Sequence, residues 1–306
     1  MVRIKRILCP IDFSEVSRHA FDRAVGVASS YEAAISILHV LPMPSAVPAI
    51  PYGPEGPGPF GLQTVDRERA LAEIPQFLGL DPATGPAIDC HVLEAPSADR
   101  EILLQARRLS ADLIVIGTHG RSGFERLVLG SVAEKVLRTS ELPVLTVPPR
   151  VADAVPLTGD PFKRILLATD FSPGSDAALQ YATSLAQHAA AQLTIVHVVE
   201  PLPVGHDPMV GTSFDASVYH ARLIEEARTT LRTSVPDWVR LGCDTDDVVV
   251  KGRPYVEILR LASARDVDVI VLSVQGRGAL DRLVFGSTAE HLVRRATCPV
   301  LTVRQR

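Results

Sequence analysis

The stretch GTHGRSGFERLVLGS (117–131) places Gly117, Gly120 and Gly130, three of its four glycines, ahead of Ser131. Glycines admit positive φ and let a backbone approach an anion closely. A helix starting just after them would aim its free N–H groups and dipole at that anion, which is phosphate-binding chemistry. The chain says nearly the same thing again as SVQGRGALDRLVFGS (273–287), keeping Gly276, Gly286 and Ser287 but putting Ser273 where Gly117 stood. Arg121 and Arg277 occupy matched loop positions, either reaching toward a phosphate or simply solvated. The other chemically suggestive residue is Asp12, at the end of the first apolar run, which returns as Asp170. An Asp at a strand–helix junction usually caps the helix. Here Ser14 and Ser172 follow two residues later, and Ser172 precedes Pro173, a residue favoured at the first helical position. If Ser caps, the carboxylate is left at the strand tip, where ribose hydroxyls are natural partners. SVAE (131–134) and STAE (287–290) read as S-x-x-E capping boxes, so Ser131 and Ser287 are expected to cap their helices.

Several chemistries are disfavoured. There is no GxxxxGK[ST] and no GxGxxG after the first strand, which argues against a P-loop and a dinucleotide fingerprint. No carboxylate pair for Mg²⁺ and no evident base for water stand out, so hydrolysis of a bound phosphoanhydride is at most a slow side activity. His39 and His197 repeat inside strands and read as packed, hydrogen-bonded core residues. His119 becomes Gln275, which removes it as an obligatory acid or base in both copies. His91 stands alone, and no His, Cys and carboxylate set has metal-ligand spacing.

The elements that must hold these residues recur too. RILCPIDFS (6–14) returns as RILLATDFS (164–172), ISILHVL (35–41) as LTIVHVV (193–199), and ADLIVIG (111–117) as VDVIVLS (267–273); LPVLTV (142–147) returns as CPVLTV (298–303). A period of this length is a duplicated domain, since solenoid units are shorter. The expected boundaries are 1–148 and 162–306, with the proline-rich 149–161 as linker. Within the first half, apolar runs at 6–11, 35–41, 87–93, 112–117 and 142–147 look like strands buried on both faces. They alternate with helical patterns such as Ala178, Tyr181, Ala182, Leu185 and Ala186 in the second half. The fold class is α/β: two tandem doubly wound domains, each a five-stranded parallel sheet flanked by helices. Ligands of such sheets bind beyond the strand ends at a switch point, and strands 1 and 4 must adjoin for Asp12 and the glycine loop to share one site. That fixes the expected order as 3-2-1-4-5. Residues 42–61 hold seven prolines and four glycines and are expected to be surface loop over most of their length rather than a lid or partner segment.

A chain of 306 residues with 46% hydrophobic and 22% charged content suits two soluble domains. Net charge is −4 with no Lys/Arg-rich run, which gives no field for nucleic acid. No membrane-length apolar stretch and no signal-peptide core are seen, and Cys9, Cys90, Cys243 and Cys298 form no CxxC pair. A cytoplasmic protein with reduced thiols is expected.

The combination of a strand-end Asp, G-x2-G-x9-G-[ST] after the fourth strand and a closing PVLTV strand resembles the universal stress protein family in its tandem two-domain form. The resemblance covers both halves and implies, in one subgroup, an ATP site in the crevice just described, with or without Mg²⁺. It implies that Pro10 and Ile11 flank the base, that Val40 meets adenine through its backbone and that Asp12 takes the ribose. Gly117, His119 and Gly120 would line the phosphate side, and Gly130, Ser131 and Val132 would bind phosphate oxygens. Ala168, Thr169, Asp170, Val198, Gly276, Gly286, Ser287 and Thr288 match this pattern in the second half, and Ser273 does not. If Gly117 needs positive φ, Ser273 costs on the order of 1 kcal/mol, roughly fivefold in affinity; if the position is ordinary β, it costs little. A second site weakened but not abolished is the expectation. The implied function is a nucleotide-dependent stress-response switch; the alternatives are a slow ATPase and a scaffold that works through protein contacts. The resemblance also implies that the last strands pair, 142–147 against 298–303, making an internal pseudo-dimer, with a homodimer of whole chains as a further partner state.

Overall fold

The computed structural model describes residues 2–43, 59–80, 86–118, 129–149, 162–201, 216–276 and 285–305. Residues 3–161 and 162–306 fall in two compact units, each described here by itself.

In the first unit the order is β1 (Arg6–Ile11), α1 (Glu15–Tyr31), β2 (Ala34–Pro42), α2 (Pro59–Leu78), β3 (Ile88–Ala95), α3 (Ala98–Arg108), β4 (Leu113–Gly117), α4 (Ser131–Thr139) and β5 (Val144–Val147). The strands pair in parallel in the order 3-2-1-4-5, as the convergence argument required. β1 lies in the middle, and its Ile7, Leu8 and Cys9 are wholly buried, which is why this run shows no polar alternation. Right-handed crossovers send α1 and α2 to one face and α3 and α4 to the other, and α1 accordingly touches α2 while α3 touches α4. β1 and β4 are also tied at their other ends, where the Asp112 carboxylate accepts from Lys5 N (2.7 Å) and Arg6 N (3.1 Å).

The second unit repeats the plan: β6 (Arg164–Ala168), α5 (Pro173–Ala189), β7 (Gln192–Val199), α6 (Ala216–Ser234), a short α7 (Asp237–Gly242), β8 (Asp244–Lys251), α8 (Pro254–Ala264), β9 (Val269–Ser273), α9 (Ser287–Arg295) and β10 (Val300–Val303). Its strands are again parallel neighbours in the equivalent order, with β6 flanked by β7 and β9. Asp268 repeats the clamp of Asp112 on Lys163 N and Arg164 N, both at 2.8 Å.

Strand bounds differ from the sequence reading by one or two residues. The last three residues of the proline-rich stretch, 59–61, already belong to helix α2; residues 44–58 and the linker positions 150–161 lie outside the described residues.

Candidate functional site

The strand-to-helix turn after β1 is built by three successive residues. Ser14 is the N-cap of α1, its hydroxyl accepting from Ser17 N (3.2 Å), as expected. Phe13 sits in the left-handed region at φ 60°, which a bulky residue adopts only where its surroundings enforce it. Asp12 is not idle beside them. Its Oδ1 accepts from Ser14 N (3.1 Å) and from the Ser14 hydroxyl (2.5 Å), so the carboxylate braces the turn and is held at the β1 tip. The second unit reproduces this: Phe171 is at φ 60°, Ser172 caps α5, and Asp170 Oδ1 accepts from Ser172 N (3.0 Å) and the Ser175 hydroxyl (2.6 Å). The sequence reading missed the left-handed Phe, whose only signal is its repetition after each Asp.

The helix beyond the glycine loop departs from expectation. Ser131 and Ser287 are the first helical residues and do not cap; Gly130 (φ −59°) and Gly286 (φ −62°) hold the N-cap positions, with no side-chain cap bond. Glu134 pairs with Arg138 Nε (3.1 Å) and Glu290 with Arg294 (3.1 Å), one turn along each helix. A helix N-terminus with no side-chain cap and a serine at its first residue offers helix-end N–H donors and a nearby hydroxyl to an anion.

Nor do Gly117, Gly130 and Gly286 use positive φ; close approach is what selects glycine at 117 and 286. A Cβ on Gly117 would lie 2.9 Å from Val16 Cγ1 and 3.2 Å from Val16 O, in the first turn of α1. In the second unit the pair is reversed: Ser273 stands for Gly117, and Gly174 stands for Val16. A Cβ on Gly174 would collide with Ser273 Oγ and come within 3.2 Å of Gln275 O. The space freed by one glycine is thus used by the other residue's side chain, and Ser273 Oγ accepts from Gln275 N (3.2 Å). The strain cost considered for Ser273 does not arise.

These parts meet at the strand tips. In the first unit Pro10, Ile11 and Asp12, Val40, Gly117, and Gly130, Ser131 and Val132 all line one cavity of about 300 Å³, with Thr118 and the α3 residues Ala98 and Ile102 completing it. In the second unit Ala168, Thr169 and Asp170, Val198, Ser273, Gly276, and Gly286, Ser287 and Thr288 line another of about 740 Å³, with Pro254 and Ile258 in the places of Ala98 and Ile102. The backbone of Gly276 closes on the aspartate: a Cβ there would lie 2.9 Å from Asp170 Oδ2. His119, Gly120, Arg121 and Arg277 lie outside the described residues. The apolar wall from α3 and α8 was not read from the sequence, because those residues look like ordinary core positions.

His39 fits its expected role, buried with Nδ1 2.9 Å from Ile11 O, so Nδ1 carries the hydrogen. His197 makes the equivalent contact to Thr169 O (2.8 Å) but is only half-buried and faces the second cavity. Burial pushes the Cys9 thiol well up, with Asp22 adding to it, so this cysteine under the β1 tip is protonated and inert.

The model of the universal stress protein family matches the chain twice, over residues 3–148 and 161–304. The chain belongs to the universal stress protein family. A universal stress protein of Mycolicibacterium smegmatis is 26% identical over 309 residues, spanning 98% of this chain and 97% of that protein. One from Thermus aquaticus is 35% identical over 147 residues, 47% of this chain and 99% of its own length. Among solved structures, a universal stress protein from Archaeoglobus fulgidus superposes with a TM-score of 0.64 at 22% identity, covering 98% of each chain, a likeness of fold. Among the described residues, no helix is long and apolar enough to cross a membrane.

Proposed function

We propose that each half of the chain binds an adenine nucleotide, ATP in the first instance and with or without Mg²⁺, and that occupancy makes this a nucleotide-dependent switch in a cytoplasmic stress response. The observation that carries the reading is the convergence, twice over, of a braced aspartate, a strand-end backbone and an uncapped glycine-led helix start on one cavity. A ribose, a purine edge and a phosphate need those three things in that order of chemistry.

In the first half Asp12 takes the ribose, Val40 offers backbone to the base beside Pro10 and Ile11, and Gly130, Ser131 and Val132 take phosphate oxygens. Asp170, Val198, Ala168, Thr169, Gly286, Ser287 and Thr288 do the same in the second, with Gly276 and Ser273 at the phosphate side. Ser273 fits without strain because Gly174 makes room for it, so both sites are competent.

The test is to unfold freshly purified chain and quantify released nucleotide per chain by chromatography, with calorimetry of added ATP–Mg²⁺. Two nucleotides per chain support two working sites. No released nucleotide and no heat of binding refute the reading.

A further inference from the structure

The two crevices differ at the end of the second strand of each sheet, beside the backbone assigned to the base. The repeated histidine fixes the register there. His39 Nδ1 lies 2.9 Å from Ile11 O and His197 Nδ1 lies 2.8 Å from Thr169 O, so Val40 answers to Val198 and Pro42 to Glu200. The first cavity is lined by β2 only as far as Val40, and Asp12 is its one charged side chain among the described residues. In the second cavity the lining runs on past Val198 through Val199 to Glu200, the residue that directly follows β7.

Glu200 is exposed and, among the described residues, has no hydrogen-bond or ion-pair partner. Two other carboxylates line the same cavity, and both are engaged. Asp170 accepts from the Ser175 hydroxyl (2.6 Å) and is the group assigned to the ribose, while Glu226 accepts from Arg222 Nε (2.7 Å). The acceptor left over for a base is Glu200. Two residues of extended chain span about 6.6 Å and return the side chain to the same side, so a base held at Val198 has its far edge within reach of Glu200.

An ionised carboxylate only accepts. Guanine meets it with adjacent donors, N1–H and the 2-amino group, one for each oxygen. Adenine sets a single amino group beside the N1 lone pair, which a second carboxylate oxygen cannot use. An exposed Glu200 keeps its water over adenine, so adenine is still accepted. Pro42 brings neither a side-chain acceptor nor an N–H to the first half, where guanine would give up water from its donors without replacement.

We infer that the second-half site takes guanine nucleotides as well as adenine ones, with Glu200 reading the guanine N1–H and 2-amino group, whereas the first-half site takes adenine nucleotides alone. The inference rests on the nucleotide reading proposed above.

The test is calorimetric titration of the full chain with ATP–Mg²⁺ and, separately, with GTP–Mg²⁺. ATP is expected to fill both sites and GTP only one. Glu200→Ala is expected to raise the dissociation constant of GTP, relative to that of ATP, by about tenfold or more. Pro42→Glu is expected to add a second GTP site, and ATP binding by each variant reports an intact fold. GTP at neither site or at both in the wild-type chain, or a Glu200→Ala effect equal on the two nucleotides, overturns the inference while ATP binding stands. Binding of neither nucleotide to the wild-type chain removes the nucleotide reading, and the inference falls with it.

Discussion

The exchange of glycine and side chain between β9 and α5 makes a quantitative prediction. Gly174→Val places a β-branched side chain against Ser273 Oγ, with its Cβ 3.2 Å from both Ser273 Cβ and Gln275 O. Overpacking of this kind costs about 1–3 kcal/mol, and a stiff Val χ1 in a helix leaves little room to escape. Ser273→Gly alone loses the 3.2 Å bond from Gln275 N, worth about 0.5–1.5 kcal/mol. Together the two substitutions reinstate the pairing found at Val16 and Gly117, so their effects must not add. A coupling of about 1–3 kcal/mol in favour of the double variant is expected. Urea unfolding followed by Trp238, the chain's single tryptophan and a member of the second unit, reads that unit directly. At a slope of about 2 kcal/mol per molar urea, a 2 kcal/mol loss moves the midpoint by about 1 M. Additive effects within about 0.5 kcal/mol would show that the glycine positions are not a complementary pair.

The remaining predictions concern the first unit. Ser131→Ala is expected to change stability by less than about 0.5 kcal/mol, since Gly130 holds the N-cap, yet to weaken first-half nucleotide binding; a loss near 1 kcal/mol in urea unfolding would reinstate Ser131 as the cap. Ser14→Ala removes both the cap to Ser17 N and the hydroxyl bracing Asp12, and should cost about 1–2 kcal/mol, with ATP affinity falling alongside, as urea unfolding and calorimetry would show. Cys9, raised by burial and by Asp22, should resist iodoacetamide at pH 8–9 in the folded chain and react only on unfolding. The same raised pKa has a sign in stability: the Cys9 contribution is intact below the unfolded thiol's pKa of 9.0 and declines as pH climbs above it, because the unfolded thiol ionises first. Cys9→Ala should flatten that alkaline decline in urea midpoints taken between pH 8 and pH 10.

Much of this was legible because it is local or forced by topology. The strand order follows from requiring Asp12 and the loop after β4 to meet, and the Ser14 and Ser172 caps follow from a short polar side chain standing just ahead of a helical pattern. What escaped depends on contacts between distant residues. The capping-box spacing pointed to Ser131, but the helix is entered one residue earlier, at Gly130, which no local pattern marks as the cap. The reason for Gly117 lies in Val16, about a hundred positions earlier, and is invisible until β4 and α1 are placed side by side.

The reversed glycine also bears on how the two repeats can change. Similar repeats in one gene tend to be rewritten from each other by gene conversion, and most of this chain would tolerate that. A tract copying β6–α5 over β1–α1 would set glycine opposite Gly117 and leave a gap, while the opposite transfer would drive valine into Ser273. Only a tract long enough to carry both the helix start and the strand end, more than a hundred codons, passes unpunished. Short exchanges that split this pair are penalised at one contact, which gives the two halves a physical reason to drift apart.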